Sequence, residues 1–187
     1  MAACSTACIG TRSEDMTGLI HLYIGTGKGK TTAAAGLALR MLGRGGRVVF
    51  MQFLKGENSG ERAALRCLPG AAVPDLPEQV QFVFQMTEAE KAACAEETQR
   101  QFRRAWALAA DRQLLILDEM LDAIALGLIP EEQVLSALRE KPEGLEVVLT
   151  GRNASDALRQ LADYVTEMVC EKHPYDRGIP AREGIEL

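Results

Sequence analysis

Eight consecutive residues constrain this chain more than any others: Gly25-Thr26-Gly27-Lys28-Gly29-Lys30-Thr31-Thr32. They follow a short apolar run, Leu19 to Ile24, and open a stretch with Ala34, Leu37, Ala38, Met41 and Leu42 at helical spacing. A glycine-rich turn between a strand and a helix is the setting of a phosphate-binding loop. Glycine admits positive φ, so successive N–H groups can converge on an anion, and the helix adds the positive end of its dipole. Lys30 then supplies a point charge to phosphate oxygens, and the Thr31 hydroxyl is a ligand for Mg²⁺. The loop Gly25 to Thr32 is therefore expected to hold the triphosphate of a nucleotide, ATP first among them. One departure stands out: the glycine usual five residues before Gly29 is Ile24 here, and has moved to Gly25. Lys28 has two readings, solvated or on phosphate.

The rest of the chain alternates short β-type runs with longer helical patterns, which predicts a mostly parallel sheet flanked by helices. Strands are expected at Arg47 to Leu54, Val80 to Phe84, Leu114 to Leu117, Leu145 to Thr150 and Tyr164 to Val169, the Arg47 strand being central. Helices are expected at Glu61 to Leu68, Thr87 to Asp111, Met120 to Leu126, Glu131 to Glu140 and Ser155 to Leu161. Thr87 with Glu90 three residues on reads as a capping box. Phe102 and Trp106, four apart, read as core rather than ligand.

A length of 187 residues with 47% hydrophobic content suits one domain, read here as 18–187 behind a flexible leader, 1–17. A net charge of -5 argues against a nucleic-acid-tracking surface. No apolar run is long enough for a membrane span, so a cytoplasmic protein without nucleic-acid or membrane partners is expected. Five cysteines, Cys4, Cys8, Cys67, Cys94 and Cys170, lack paired metal-ligand spacing and read as free thiols.

Leu114-Leu115-Ile116-Leu117-Asp118-Glu119 supplies the second part of the site: an apolar strand that ends in carboxylates able to face a loop-bound cation. Thr150-Gly151-Arg152 repeats the geometry and makes Arg152 a candidate for phosphate charge, with a surface arginine as the alternative. Arg40 is a weaker candidate within the first helix. Neither a nucleophile elbow, a Cys/His pair nor an evident general base stands out; a kinase or hydrolase would need a group to position a hydroxyl or water, and Glu119 could serve.

The blocks GTGKGKTTAAAGLALR, VVFMQFLKG, LLILDEM, VVLTGR and KHPYDRGIPAREGIEL, in this order, resemble the ATP:corrinoid adenosyltransferases of the vitamin B12 pathway, over about Leu19 to Leu187. The resemblance implies a RecA-like P-loop fold, a homodimer, and transfer of the 5′-deoxyadenosyl group of ATP to Co(I) of a corrinoid with release of triphosphate. Electrons for cobalt come from an external reductant or flavoprotein. ATP is held in the reverse sense to most loop-type hydrolases, which the displaced first glycine fits. Carried over residue by residue, Lys30 falls on phosphate, Thr31 and Glu119 on Mg²⁺ with Asp118 as support, and Arg40 and Arg152 near the triphosphate. Better-known members carry a Phe-x-Trp pair that helps remove the lower ligand of cobalt; this chain reads Phe82-Val83-Phe84-Gln85-Met86-Thr87. Phe84 is the candidate for related work, with a packed strand residue as the alternative. Two other readings of the same loop are an ATP-hydrolysing switch or kinase and a nucleotide-sensing module without turnover.

Overall fold

The computed structural model describes residues 17–77 and 83–186. Its strands are β1 (Ile20–Ile24), β2 (Val48–Gln52), β3 (Ala71–Ala72), β4 (Leu114–Asp118), β5 (Glu146–Thr150) and β6 (Tyr164–Glu167). All pair in parallel, in the order β3-β2-β4-β5-β1-β6. Parallel neighbours need crossover connections. These run largely through helices α1 (Lys30–Gly43), α2 (Gly60–Arg66), α3 (Glu88–Ala109), α4 (Met120–Ala125), α5 (Glu131–Arg139) and α6 (Asp156–Leu161).

Side chains alternate across the pleat, and both faces are covered. Val48, Phe50, Leu114, Ile116 and Val148 point to the layer holding Ala34 and Ala38 of α1. Val49, Met51, Leu115, Leu117, Val147 and Leu149 point to the other layer, with Phe102 and Ala105 of α3, Met120 of α4 and Leu135 of α5. That two-sided burial is why β2 and β4 read as continuous apolar runs; every residue of both strands is buried. The capping box at Thr87 and Glu90 starts α3, and Phe102 packs edge-on to Trp106 with ring centroids 6.0 Å apart. Among the described residues no helix is long and apolar enough to cross a membrane, and Cys67, Cys94 and Cys170 are free thiols.

Two expectations change. β2 is not central: it lies second from the edge, with only the two-residue β3 beyond it, and β4 and β5 hold the middle. Of the strand expected at Val80 to Phe84, residues 80–82 lie outside the described residues, while Val83–Gln85 coils as a 3₁₀ turn ahead of α3. Phe84 is 80% exposed there, which removes its reading as a packed strand residue. Alternating apolar residues carry strand periodicity, but at Val83–Gln85 the capped start of α3 follows closely, and Ala71–Ala72 pairs with β2 on its outer side. Cys4, Cys8 and all of the expected leader except Thr17 also lie outside the described residues.

Candidate nucleotide site

The phosphate loop forms as expected, but its glycines serve different ends. Gly25 and Gly29 take φ of 108° and 110°. The Gly25 N–H donates to Arg152 O at 2.9 Å and the Gly27 N–H to Met168 O at 2.7 Å. A Cβ on Gly25 would lie 2.3 Å from Met168 O, and one on Gly27 2.7 Å from the same oxygen. Both glycines are therefore required by the chain behind the loop. Gly29 is different: a Cβ there would meet nothing nearer than Met168 Sδ at 3.9 Å, and its positive φ turns the chain into α1. The first-turn N–H groups of Lys30, Thr31 and Thr32 are left at the helix end, where an anion is favoured. Lys30 arches over the loop, its Nζ donating to Gly25 O at 2.7 Å and Gly27 O at 3.0 Å.

The carboxyl ends of β2, β4 and β5 bring the second part together at the hub Asp118, which is fully buried. Its Oδ1 accepts from Thr150 Oγ1 at 2.7 Å; its Oδ2 accepts from Gln52 Nε2 at 2.9 Å and Thr31 Oγ1 at 3.2 Å. The Glu119 N–H donates to Thr150 Oγ1 at 2.9 Å. Asp118 thus ties β4 to both neighbouring strand ends and to the first turn of α1, a larger part than support for Glu119.

Lys55, just beyond β2, was not singled out from sequence, and it completes the cluster. Its Nζ lies 3.1 Å from Thr31 Oγ1, 3.2 Å from Asp118 Oδ2 and 3.0 Å from Glu119 Oε1. Burial works to lower the Lys55 pKa, but the charges and hydrogen bonds of Asp118 and Glu119 outweigh it and raise it. Burial pushes the Glu119 carboxyl up, Lys55 pulls it back, and Asp118 and Asp122 add to the rise. One ammonium does not neutralise this many carboxylates. Removing it would strand the charge of Asp118, on the order of 3–5 kcal/mol for a buried pair and less here because Lys55 is 33% exposed.

Backbone strain sits at the same place. Among the described residues, Leu54 (φ 58°) and Glu119 (φ 61°) are the non-glycine positions with positive φ. For a leucine this conformation costs about 1–2 kcal/mol, and such strain collects at functional sites. A clamp holds the strained turn: Glu57 accepts from the fully buried Arg62 at 3.0 Å, from Arg66 at 2.6 and 3.1 Å, and from the Leu76 N–H. Arg62 also donates to Pro74 O at 2.6 Å.

The other expected residues divide. Arg152 is adjacent to the loop: its carbonyl holds Gly25, its N–H donates to Asp122 Oδ2 at 3.1 Å, and its side chain is exposed. Thr32 donates to Glu61 at 3.3 Å, Lys28 pairs with Glu186 at 3.6 Å, and Thr26 is exposed. Arg40 is not brought to the cluster: ten residues beyond Lys30 on the same helix, it lies about 15 Å along the axis. Phe84 lies in the 3₁₀ turn Val83–Gln85, ahead of α3.

The oxygens present suit a small divalent cation. They are hard ligands, and Lys55 already stands as a cation among them. Gln52 Oε1, buried beside Asp118, has no partner among the described residues. Among the described residues no group of three or more His, Cys, Asp or Glu is disposed to hold a metal ion.

A family model described as ATP:corrinoid adenosyltransferase BtuR/CobO/CobP matches residues 16–187. The corrinoid adenosyltransferase of Escherichia coli K12 is 36% identical over 187 residues, covering 94% of this chain and 88% of the relative. Corrinoid adenosyltransferase CobA of Salmonella typhimurium LT2 is 36% identical over 178 residues with the same coverage, and the Pseudomonas aeruginosa PAO1 enzyme is 32% identical, covering 94% and 87%. Among solved structures, the cytoplasmic domain of EssC superposes with a TM-score of 0.50 at 19% identity, over 91% of this chain and 36% of that one, a likeness of fold alone.

Proposed function

This chain belongs to the ATP:corrinoid adenosyltransferase family, and on that premise we propose that the loop and the strand-end cluster hold the triphosphate of ATP together with Mg²⁺. The reaction is transfer of the 5′-deoxyadenosyl group of ATP to a reduced corrinoid in adenosylcobalamin formation. The observation that carries the site reading is the convergence of Thr31, Lys55, Asp118 and Glu119 beside the start of α1.

The Co(I) electron pair forms the Co–C5′ bond while the C5′–O bond to the α-phosphate breaks, and that electron pair leaves on the triphosphate. No proton need be removed, so the chain's task is orientation and charge neutralisation. The N–H groups of residues 30–32 and the Lys30 ammonium face the leaving triphosphate, with Arg152 reaching it from the β5 end. Thr31, Asp118 and Glu119 would hold Mg²⁺, which supplies charge to the phosphate oxygens. Lys30 leaves the loop carbonyls to do its part. Phe84, exposed ahead of α3, is proposed to cover the lower face of cobalt.

We further infer a cytoplasmic homodimer supplied with electrons by a flavoprotein. The exposed apolar residues Tyr164, Val165 and Val169, on and just beyond edge strand β6, support a second copy, and light scattering tests it. The test of the reaction is the fate of ATP mixed with chemically reduced corrinoid. Triphosphate in proportion to the Co–C product is expected; ADP would favour the hydrolase or kinase reading.

A further inference from the structure

Lys55 occupies the place where its surroundings call for a metal. Its Nζ touches the Thr31 hydroxyl, Asp118 and Glu119 together, at 3.0 to 3.2 Å. These are the oxygens assigned above to Mg²⁺, and an ammonium and a divalent cation cannot share one such pocket. The lysine is also placed with care. The turn that carries it passes through the strained Leu54, and Glu57, two residues on, is pinned by Arg62, Arg66 and the Leu76 N–H. A lysine serving only solubility needs neither device.

We propose that Lys55 is an exchangeable cation: it neutralises the strand-end carboxylates before substrate arrives, yields the oxygens to the metal that enters with nucleotide, and moves its charge onto the triphosphate. The inference rests on the metal site proposed above and adds to it a residue and a sequence of events. Two consequences follow from electrostatics. Metal alone binds poorly, because it must displace a fixed positive charge. Metal with triphosphate binds well, because the displaced ammonium finds new anionic partners within reach of a flexible four-carbon stem. Lys55 thereby couples the two ligands and disfavours occupation by metal without substrate, and by linkage each raises the affinity of the other.

The test is Lys55→Met in the full chain, with Mn²⁺ as the metal probe followed by electron paramagnetic resonance and inorganic tripolyphosphate as the anion. Without anion, the variant is expected to bind Mn²⁺ at least about tenfold more tightly than the parent; without metal, it is expected to bind tripolyphosphate at least about tenfold more weakly. A merely structural lysine would move both affinities downward, so weaker or unchanged Mn²⁺ binding overturns the proposal. If Lys55→Met does not fold alone, recovery of its circular dichroism on adding Mn²⁺ supports the exchange. If Mn²⁺ gives no recovery, Lys55→Gln is carried through the same two titrations and decides. Glu119→Gln separates the two layers of the argument. If it weakens Mn²⁺ binding while Lys55→Met matches the parent, the exchange is wrong and the metal site stands. If anion-dependent Mn²⁺ binding is absent from the parent itself, the metal site has failed, and the exchange with it.

Discussion

The ends of β2 and β4 differ from β6 and the chain beyond it in what their residues are for. At the first, Gln52, Asp118 and Thr150 are almost wholly buried, and each polar side chain is aimed at a named neighbour. At the second, all four residues of β6 are exposed, and so are Val169, Tyr175, Ile179 and Ile185. Internal packing accounts for the first region. At the second, apolar side chains stand exposed among the described residues, on the face where a second copy is proposed above to bind. The chain from β6 onward meets β1 and the phosphate loop rather than the β2 and β4 ends: β6 pairs with β1, the Met168 N–H donates to Ile24 O, the Gly27 N–H donates to Met168 O, and Lys28 pairs with Glu186.

The largest effect expected is on the loop itself. Lys30→Ala should leave the fold intact and lower turnover by roughly 10²–10³, the scale of losing one preorganised charge on a leaving group, with weaker ATP binding in calorimetry. Unchanged turnover would take the loop out of the site. The contrast in packing is tested by a pair. Phe50→Ala, within the buried face of β2, should cost about 3–5 kcal/mol and roughly 10 °C in melting temperature. Tyr175→Ala, at 76% exposure, should stay within about 0.5 kcal/mol. Equal losses would mean that the tail packs after all.

A smaller effect is expected at Phe84. Phe84→Ala should slow the reaction by up to about tenfold when cobalt is reduced on the enzyme, and less when Co(I) is supplied ready made, since only the first route needs the lower ligand removed. Equal loss by both routes would take Phe84 out of lower-ligand removal. The smallest concerns acid. Hydrogen bonds from Arg66, opposed by burial and helped by the Leu76 N–H and the Arg62 charge, hold Glu57 at about 2 against an ordinary 4.5. Its folded pKa is depressed, so the unfolded chain binds more protons between these values. The stability it confers is present above pH 4.5 and is lost as pH falls toward 2. Glu57→Gln should flatten the stability profile in that window; a profile unchanged from the parent would show that the clamp carries no linkage.

Much of this was legible in the sequence because burial leaves a period. The two-sided strands, the capped α3 and the loop before α1 follow from local pattern, and Asp118 and Glu119 from their place at a strand end. Lys55 did not stand out because its importance depends on β2 and β4 being neighbours, and 65 residues separate the starts of those strands in the chain. The lysine in Gln52-Phe53-Leu54-Lys55-Gly56 belonged to a distinctive block, yet no spacing rule connects it to Asp118. Gln52 and Thr150 escaped for the same reason. Arg40 differs in another way: it shares α1 with Lys30 but sits at the far end of that helix. At Phe84 itself the strand-like alternation gives way to a 3₁₀ turn ahead of the capped start of α3.

The strand-end oxygens are proposed to hold the cation that accompanies triphosphate. That assignment is tested most directly by titrating Mg²⁺ against ATP binding in the parent and in Glu119→Gln, with the fold checked by circular dichroism. A carboxylate ligand lost should move the midpoint of the Mg²⁺ dependence upward by about 10–100-fold while metal-free ATP binding changes little. Superimposable titrations of the two proteins would contradict the account.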